Sequence, residues 1–274
     1  MRLPTRARGA RRHAIAPLAF VAGALVAAAV SPAVASPLTR SSETSRAPRA
    51  GRDLPPVRQP SASHPLVLLK IGDSLGEELG YGLTDVVGPT RDVRILQEAV
   101  GDSGLARPDF YNWPLHLAEE LRSFHPSAVV VLLGADDGQN FLDNGTVVQF
   151  GSARWHAVYS GRVAQMMAEA TGAGAHVLWV GIPIMSSPSF SAEMEKMNAI
   201  YAAEASRHPG VTFLSTWALF ANAHGSYSAY LPGPSGQSVL MRNPDGVHFS
   251  RAGEDRLATA VVAAMDRAWH VHIP

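Results

Sequence analysis

Gly72-Asp73-Ser74-Leu75 follows directly on the apolar run Leu66-Val67-Leu68-Leu69-Lys70-Ile71, and Asp245-Gly246-Val247-His248 stands near the far end of the chain. A serine hydroxyl is a poor nucleophile until a base takes its proton, and an imidazole base needs an anion to fix its tautomer and orientation. Ser74, His248 and Asp245 are the residue types for such a site. Asp245 and His248, three residues apart, can meet across a loop or single turn and leave the second imidazole nitrogen for Ser74. The competing reading is an N-cap serine and a loop histidine that share no task.

These groups must be held by strand ends and loops. Leu66–Ile71, Val93–Gln97, Ala128–Leu133, His176–Ile182 and Val211–Leu214 are short apolar or β-branched runs of the kind that suit buried parallel strands. Helical patterns lie between and after them: Leu75–Val87, Trp113–Phe124, Ser152–Thr171, Ser191–Ser206 and Ser250–Trp269. Strand–helix alternation with right-handed crossovers predicts an α/β fold, a three-layer αβα sandwich around a flavodoxin-like five-stranded parallel sheet. Ser74 then sits between the carboxyl end of the first strand and the amino end of a helix. Free N–H groups and the helix dipole there favour a developing anion. The motif is not the G-x-S-x-G elbow of the larger hydrolase fold.

Composition bounds the remainder. Arg2, Arg6, Arg8, Arg11 and Arg12 precede the apolar stretch Ala14–Val30 and the small-residue run Ala33-Val34-Ala35, the pattern of a secretory signal peptide. An uncleaved membrane anchor is the alternative, and would tether the protein through its N-terminus. The expected organisation is thus 1–35 as signal peptide or anchor, 36–64 as a Ser-, Pro- and Arg-rich disordered linker, and 65–274 as one domain. The protein is expected to be secreted, periplasmic or held in the cell envelope. The formal net charge of zero hides a split: residues 1–60 hold 10 Arg and two acids, leaving 13 basic and 21 acidic residues for the remainder. An acidic domain is a poor nucleic-acid partner. The absence of cysteine excludes a thiol nucleophile, a disulfide framework and a Cys-based metal site.

The chain resembles the SGNH/GDSL hydrolase superfamily, whose four blocks carry Ser, Gly, Asn and His. Gly72-Asp73-Ser74-Leu75, Ser103-Gly104 and Asp245-Gly246-Val247-His248 match three of them, and Gly134-Ala135-Asp136-Asp137 occupies the place of the Gly-x-Asn-Asp block. Arg107-Pro108-Asp109-Phe110-Tyr111-Asn112-Trp113-Pro114 and Gly134–Gln139 further resemble a bacterial exported subgroup of poorly defined substrate. The resemblance spans about 66–268. It implies Ser74 as nucleophile, His248 as base and Asp245 as its orienter, with an oxyanion hole from the N–H groups of Ser74 and Gly104 and the side chain at position 136.

Position 136 departs from that pattern. Where the family has an amide that donates a hydrogen bond, this chain has Asp136, and an ionised carboxylate has no proton to give. Loss of one oxyanion donor typically costs about 100- to 1000-fold in turnover. Three readings stay open: a carboxyl kept neutral by burial beside Asp137 and Asp245, a carboxylate turned away or paired with an arginine, or a weak or inactive homologue.

Phe110, Tyr111 and Trp113 follow the oxyanion glycine closely enough to wall a substrate pocket, with core packing as the alternative, and Arg107 is a further candidate substrate contact. Tyr227–Asn243 reads as a long irregular loop, either a substrate lid or variable surface. No cofactor or metal is expected: Asp136, Asp137 and Asp143 lack EF-hand spacing, Gly80-Tyr81-Gly82 and Gly172-Ala173-Gly174 lack the dinucleotide fingerprint and read as loops or helix ends, and His270 and His272 read as solvated. The expected activity is that of an exported serine ester hydrolase acting through an acyl-enzyme on O-acyl groups of a glycan or small ester. Transfer of the same acyl group to a sugar hydroxyl, as in a cell-envelope O-acetyltransferase, and a catalytically weak glycan-binding homologue are the alternatives.

Overall fold

The computed structural model describes residues 54–88 and 90–274. The expected signal peptide or anchor, and the larger part of the expected linker, lie outside the described residues.

Apolar runs with no polar side become strands buried on both faces. β1 (Leu66–Gly72) is followed by α1 (Ser74–Val87), β2 (Val93–Ala99), α2 (Trp113–Phe124) and β3 (Ala128–Leu132). A short antiparallel hairpin, β4 (Phe141–Asp143) and β5 (Thr146–Val148), precedes α3 (Ala153–Gly172) and β6 (His176–Val180). α4 (Pro188–Ala205), β7 (Val211–Leu214) and the single turn α5 (Trp217–Phe220) come next. A second hairpin, β8 (Tyr230–Pro232) with β9 (Ser238–Leu240), leads to the closing helix α6 (Arg251–Trp269).

β2-β1-β3-β6-β7 form one five-stranded sheet in which every neighbouring pair is parallel. Counting only these strands, the order is 2-1-3-4-5, the flavodoxin-like arrangement. β3 lies at its centre and all five of its residues, Ala-Val-Val-Val-Leu, are buried. α1 packs against α6, while α3 touches both α2 and α4. The chain leaves β1 toward β2 and returns to β3 on the other side of β1, so the loops after β1 and β3 diverge and leave a crevice at their carboxyl ends.

Gly72 and Gly76 make that crevice tight. A Cβ on Gly72 would collide with Leu132 O and the Gly76 Cα, and one on Gly76 would stand 2.9 Å from Leu132 O. Larger residues would push the amino end of α1 away from β3.

Gly80 and Gly82, expected to mark a loop or helix end, lie inside α1. The reason is packing: a Cβ on Gly82 would strike the backbone of Glu254, so glycine lets α6 cross α1 closely. Gly172-Ala173-Gly174 does end α3, with Gly174 at φ +93°. Tyr227–Asn243 is not irregular throughout. Its Pro-Gly-Pro-Ser-Gly stretch turns the β8–β9 hairpin, with Gly233 N–H bonded to Gln237 O at 2.7 Å and Gly236 at φ +79°.

The described end of the segment expected as linker lies against the domain. Pro55 O is 2.9 Å from His176 Nε2, Gln59 exchanges two hydrogen bonds with the backbone of His272, and Val57 packs on the core. Leu54 reaches Gly210 closely enough that a Cβ there would clash with it. Residues 54–60 therefore strap the chain's carboxyl end to the domain.

Candidate active site

The three loops at the crevice bring Ser74, Gly104 and Asp136 to the carboxyl ends of β1, β2 and β3. His248 and Asp245 arrive from the turn between β9 and α6. His248 Nε2 lies 3.0 Å from Ser74 Oγ, and His248 Nδ1 lies 2.9 Å from Asp245 Oδ2. Asp245 Oδ1 also accepts from Val247 N at 2.8 Å and from His248 N at 2.9 Å. This Asx-type turn, allowed by Gly246 at φ +74°, folds the imidazole back onto the carboxylate. Partial burial works upward on the Asp245 pKa, but the two backbone N–H groups and the imidazole outweigh it and hold it at about 2. Desolvation pulls the His248 pKa down, yet its bond to Asp245 and the charges of Glu78, Asp245 and Asp136 raise it above the usual value. Such a pair is suited to take a proton from the Ser74 hydroxyl and hold it as imidazolium.

Among the described residues, the backbone N–H groups of Ser74 and Gly104 have no hydrogen-bond acceptor. Two buried carboxylates fix the loops that present them. Asp73 caps α1, its Oδ1 accepting from Leu75 N at 3.0 Å and Gly76 N at 3.4 Å, while its Oδ2 accepts from Gly134 N at 2.8 Å and Ala135 N at 3.0 Å. Asp73 thus ties the serine turn to the loop that carries Asp136. Burial pushes its pKa up to about 7, against the opposing pull of these backbone donors.

Asp137 does the same for the glycine loop. It accepts from Leu105 N at 2.9 Å, Ala106 N at 2.7 Å and the Tyr159 hydroxyl at 2.6 Å. The Tyr201 hydroxyl continues the network, 2.7 Å from Tyr159 and 3.1 Å from Leu133 O. Burial pushes the Asp137 pKa up to about 6, opposed by the bonds from Tyr159, Ala106 and Leu105. A Cβ on Gly104 would overlap the Asp137 carboxylate, so only glycine lets the loop settle there. Ser103, beside it, accepts from Trp113 Nε1 at 3.0 Å.

Asp136 is half-buried, and its side chain has no hydrogen-bond or ion-pair partner among the described residues; only its carbonyl is engaged, by Gln139 Nε2 at 2.6 Å. The arginine pairing that one of the three readings allowed is not found among the described residues. Burial raises its pKa first, then the charge of Asp102, while His248 lowers it. The acid whose charge raises it is Asp102.

The remaining candidates divide. Tyr111, half-buried, stacks on His116 at 4.1 Å and meets Trp113 edge-on at 4.8 Å. With Gly104, Trp113, Arg162 and Gln165 it lines a cavity of about 200 Å³ beside the glycine loop. Trp113 is 1% exposed and belongs to the core as well as to this wall. Arg107 does not line the cavity; its guanidinium is paired with Asp109 at 2.9 Å. Phe110 is exposed. Arg162, from α3, is one of the lining residues and donates to Leu105 O at 2.7 Å. Asp143 is paired with Arg154 at 2.8 Å, and among the described residues no three His, Asp or Glu come together to hold a metal ion.

Sequence reading also missed Arg242. It is fully buried and donates to Ile184 O at 3.0 Å and to the Val247 carbonyl, with the Gly246 carbonyl at 3.5 Å. The Phe249 ring lies 4.8 Å from its guanidinium carbon. Burial pushes its pKa down to about 10. An arginine flanked by Met241 and Asn243 gives no spacing signal, because its partners are backbone carbonyls.

The fold is like that of several solved SGNH/GDSL hydrolases. The structure aligns with TesA at TM-score 0.50 and 21% identity, over 73% of this chain and 98% of that one. A GDSL-like lipase from Bacteroides thetaiotaomicron aligns at TM-score 0.51 and 16% identity, over 77% and 93% of the two chains. A catalytic mutant of Axe2, an acetylxylan esterase from Geobacillus stearothermophilus, aligns at 0.50 and 18%, over 72% and 92%. At these identities the likeness is one of fold. No curated protein matches the chain by sequence. The chain belongs to the family DUF459, described as a protein of unknown function, which matches residues 67–264.

Proposed function

We propose that the protein is a serine ester hydrolase in which Ser74 attacks the acyl carbon, His248 is the general base and Asp245 orients it. The observation that carries this reading is the unbroken line Ser74 Oγ, His248 and Asp245, with 3.0 and 2.9 Å contacts on the two imidazole nitrogens. In the first step Ser74 Oγ bonds to the carbonyl carbon and its proton passes to His248 Nε2. The carbonyl oxygen becomes an oxyanion facing the free N–H groups of Ser74 and Gly104. Collapse breaks the ester C–O bond, and His248 returns the proton to the leaving alcohol. Water then repeats the sequence on the acyl-enzyme and releases the acid.

The substrate we favour is an O-acyl, above all O-acetyl, group on a glycan or small ester. The cavity beside Gly104, with the Tyr111 ring and the polar ends of Arg162 and Gln165, suits a polyhydroxylated partner better than a long acyl chain. The acetylxylan esterase among the structures of like fold is in keeping with this choice. On the strength of the basic and apolar pattern in 2–35 we place the reaction outside the cytoplasm, in secreted or envelope-held form.

The test is incubation of the purified protein with a short-chain aryl acetate, alone and with a glycan acceptor, beside the Ser74→Ala variant. Free acetate from the wild type and none from the variant supports the hydrolase. Acetate found on the acceptor makes it a transferase, and turnover that survives Ser74→Ala removes Ser74 as nucleophile.

A further inference from the structure

Glu78 lies four residues after Ser74 on α1, so its side chain leaves the helix on the face that carries the serine. Its Oε2 accepts from Phe249 N at 2.9 Å, the N–H of the peptide that joins His248 to Phe249. One side chain thus links the helix of the nucleophile to the loop of the base, outside the line Ser74, His248 and Asp245. We propose that Glu78 is a positioning residue of this site, a second carboxylate that fixes the His248 loop against α1 and stabilises the imidazolium formed during the reaction. The inference rests on the hydrolase reading, since an imidazole that takes no proton needs no such support.

The charges around the pair are few enough to name. His248 faces Asp245 from its own loop, Glu78 from α1 and Asp136 from the loop after β3. Glu78 faces His248, Glu254 from α6 and the buried Arg242. Burial raises the Glu78 pKa, while Phe249 N–H and His248 oppose that rise. A negative charge beside the ring makes the imidazole more basic and stabilises its protonated form. Removing that charge has two linked effects: the imidazole stays neutral to lower pH, and the imidazolium of the tetrahedral stage is less well held. A residue that merely supports the fold would lower activity without moving the titration.

Glu78→Gln keeps an oxygen that can accept from Phe249 N–H and removes the charge. The acid limb of kcat/KM is expected to move down by roughly 0.5 to 1 pH unit while the plateau falls about three- to tenfold. Glu78→Asp keeps the charge but draws back from Phe249 N–H, so its plateau should fall with the limb moved by less than half as much. A direct reading comes from NMR titration of the His248 ring in Ser74→Ala and in Ser74→Ala/Glu78→Gln, where turnover plays no part. A fall of roughly 0.5 to 1 unit in the imidazole pKa on adding Glu78→Gln is the expected result. An unchanged or raised imidazole pKa overturns the proposal. Absence of esterase turnover in the wild type would overturn the hydrolase reading instead, and the two failures are seen in separate experiments.

Discussion

Replacing Asp136 by Asn asks what the oxyanion meets on its third side. Two donors are already rigid: Asp73 anchors the serine turn and Asp137 the glycine loop. An amide at position 136 adds a third, and a third donor is worth about 100- to 1000-fold. The full gain is not expected, because the side chain at 136 has no hydrogen bond to hold it, and fixing one rotamer costs about 1 kcal/mol, roughly a factor of five. We therefore predict that Asp136→Asn raises kcat for an aryl acetate about 20- to 200-fold near pH 8. The pH profile should change as well. In the wild type, activity rises as His248, whose pKa is raised above 6.5, loses its proton. Burial and Asp102 raise the Asp136 pKa while His248 lowers it. An ionised Asp136 has no proton to donate and sets a negative charge beside the oxyanion. Asn removes that charge from the neighbourhood of the ring, and so moves the acid limb to lower pH. An unchanged rate and profile would show that position 136 does not meet the oxyanion; a fall in rate would give the carboxylate a positive role and refute the reasoning.

Asp73→Asn places an NH₂ against one of two pairs of backbone N–H groups, and should cost on the order of 3 kcal/mol in urea unfolding even though the residue is not part of the chemistry. Arg242→Met removes the donor to the Ile184 and Val247 carbonyls. Turnover should drop at least tenfold with KM little changed, while Arg242→Lys should recover only part, since one ammonium cannot span these acceptors. Equal KM and kcat effects would argue against a role in placing His248. A chain beginning at Ser61 should still unfold cooperatively but at roughly 2 kcal/mol lower stability than one beginning at Leu54, having lost the Pro55 and Gln59 contacts and the burial of Val57. Identical denaturation midpoints would show that the strap contributes nothing.

The sheet and the line from Ser74 to Asp245 were readable because their signals are local. Five apolar runs of strand length and a Gly-Asp-Ser turn at the end of the first need no long-range information. The β8–β9 hairpin was hidden because its strands are three residues each, with proline in the first. Gly80 and Gly82 were misread because glycine inside a helix records the close approach of a neighbour, here the Gln97 and Lys70 side chains for Gly80 and α6 for Gly82, and not a feature of its own segment. The strap at 54–60 has linker composition, and its partners His176 and His272 lie far along the chain. Asp73, Asp137, Arg242 and Glu78 share one property that explains their silence: each acts on backbone N–H or C=O groups of a remote loop. Any residue type can present those groups, so no partner identity or spacing appears in the sequence.

That same property shows how the site is built. Asp73 and Asp137 spend their charge on backbone donors inside the protein, whereas Asp245, Glu78 and Asp136 direct theirs at one imidazole. Two kinds of acid therefore surround Ser74, one that aims N–H groups and one that makes His248 basic. The second kind helps proton removal from the serine but opposes the oxyanion, and the opposition is strongest for Asp136, which follows directly on the loop tied down by Asp73. The amino end of α1 lies on the other side of this balance, since the unpaired Ser74 N–H and the helix dipole favour negative charge there. A site so arranged gains from its acids only while Asp136 keeps its proton or stands back from the oxyanion. That condition makes position 136, and not the nucleophile or the base, the point at which this chain differs in chemistry from the amide-bearing pattern it otherwise follows.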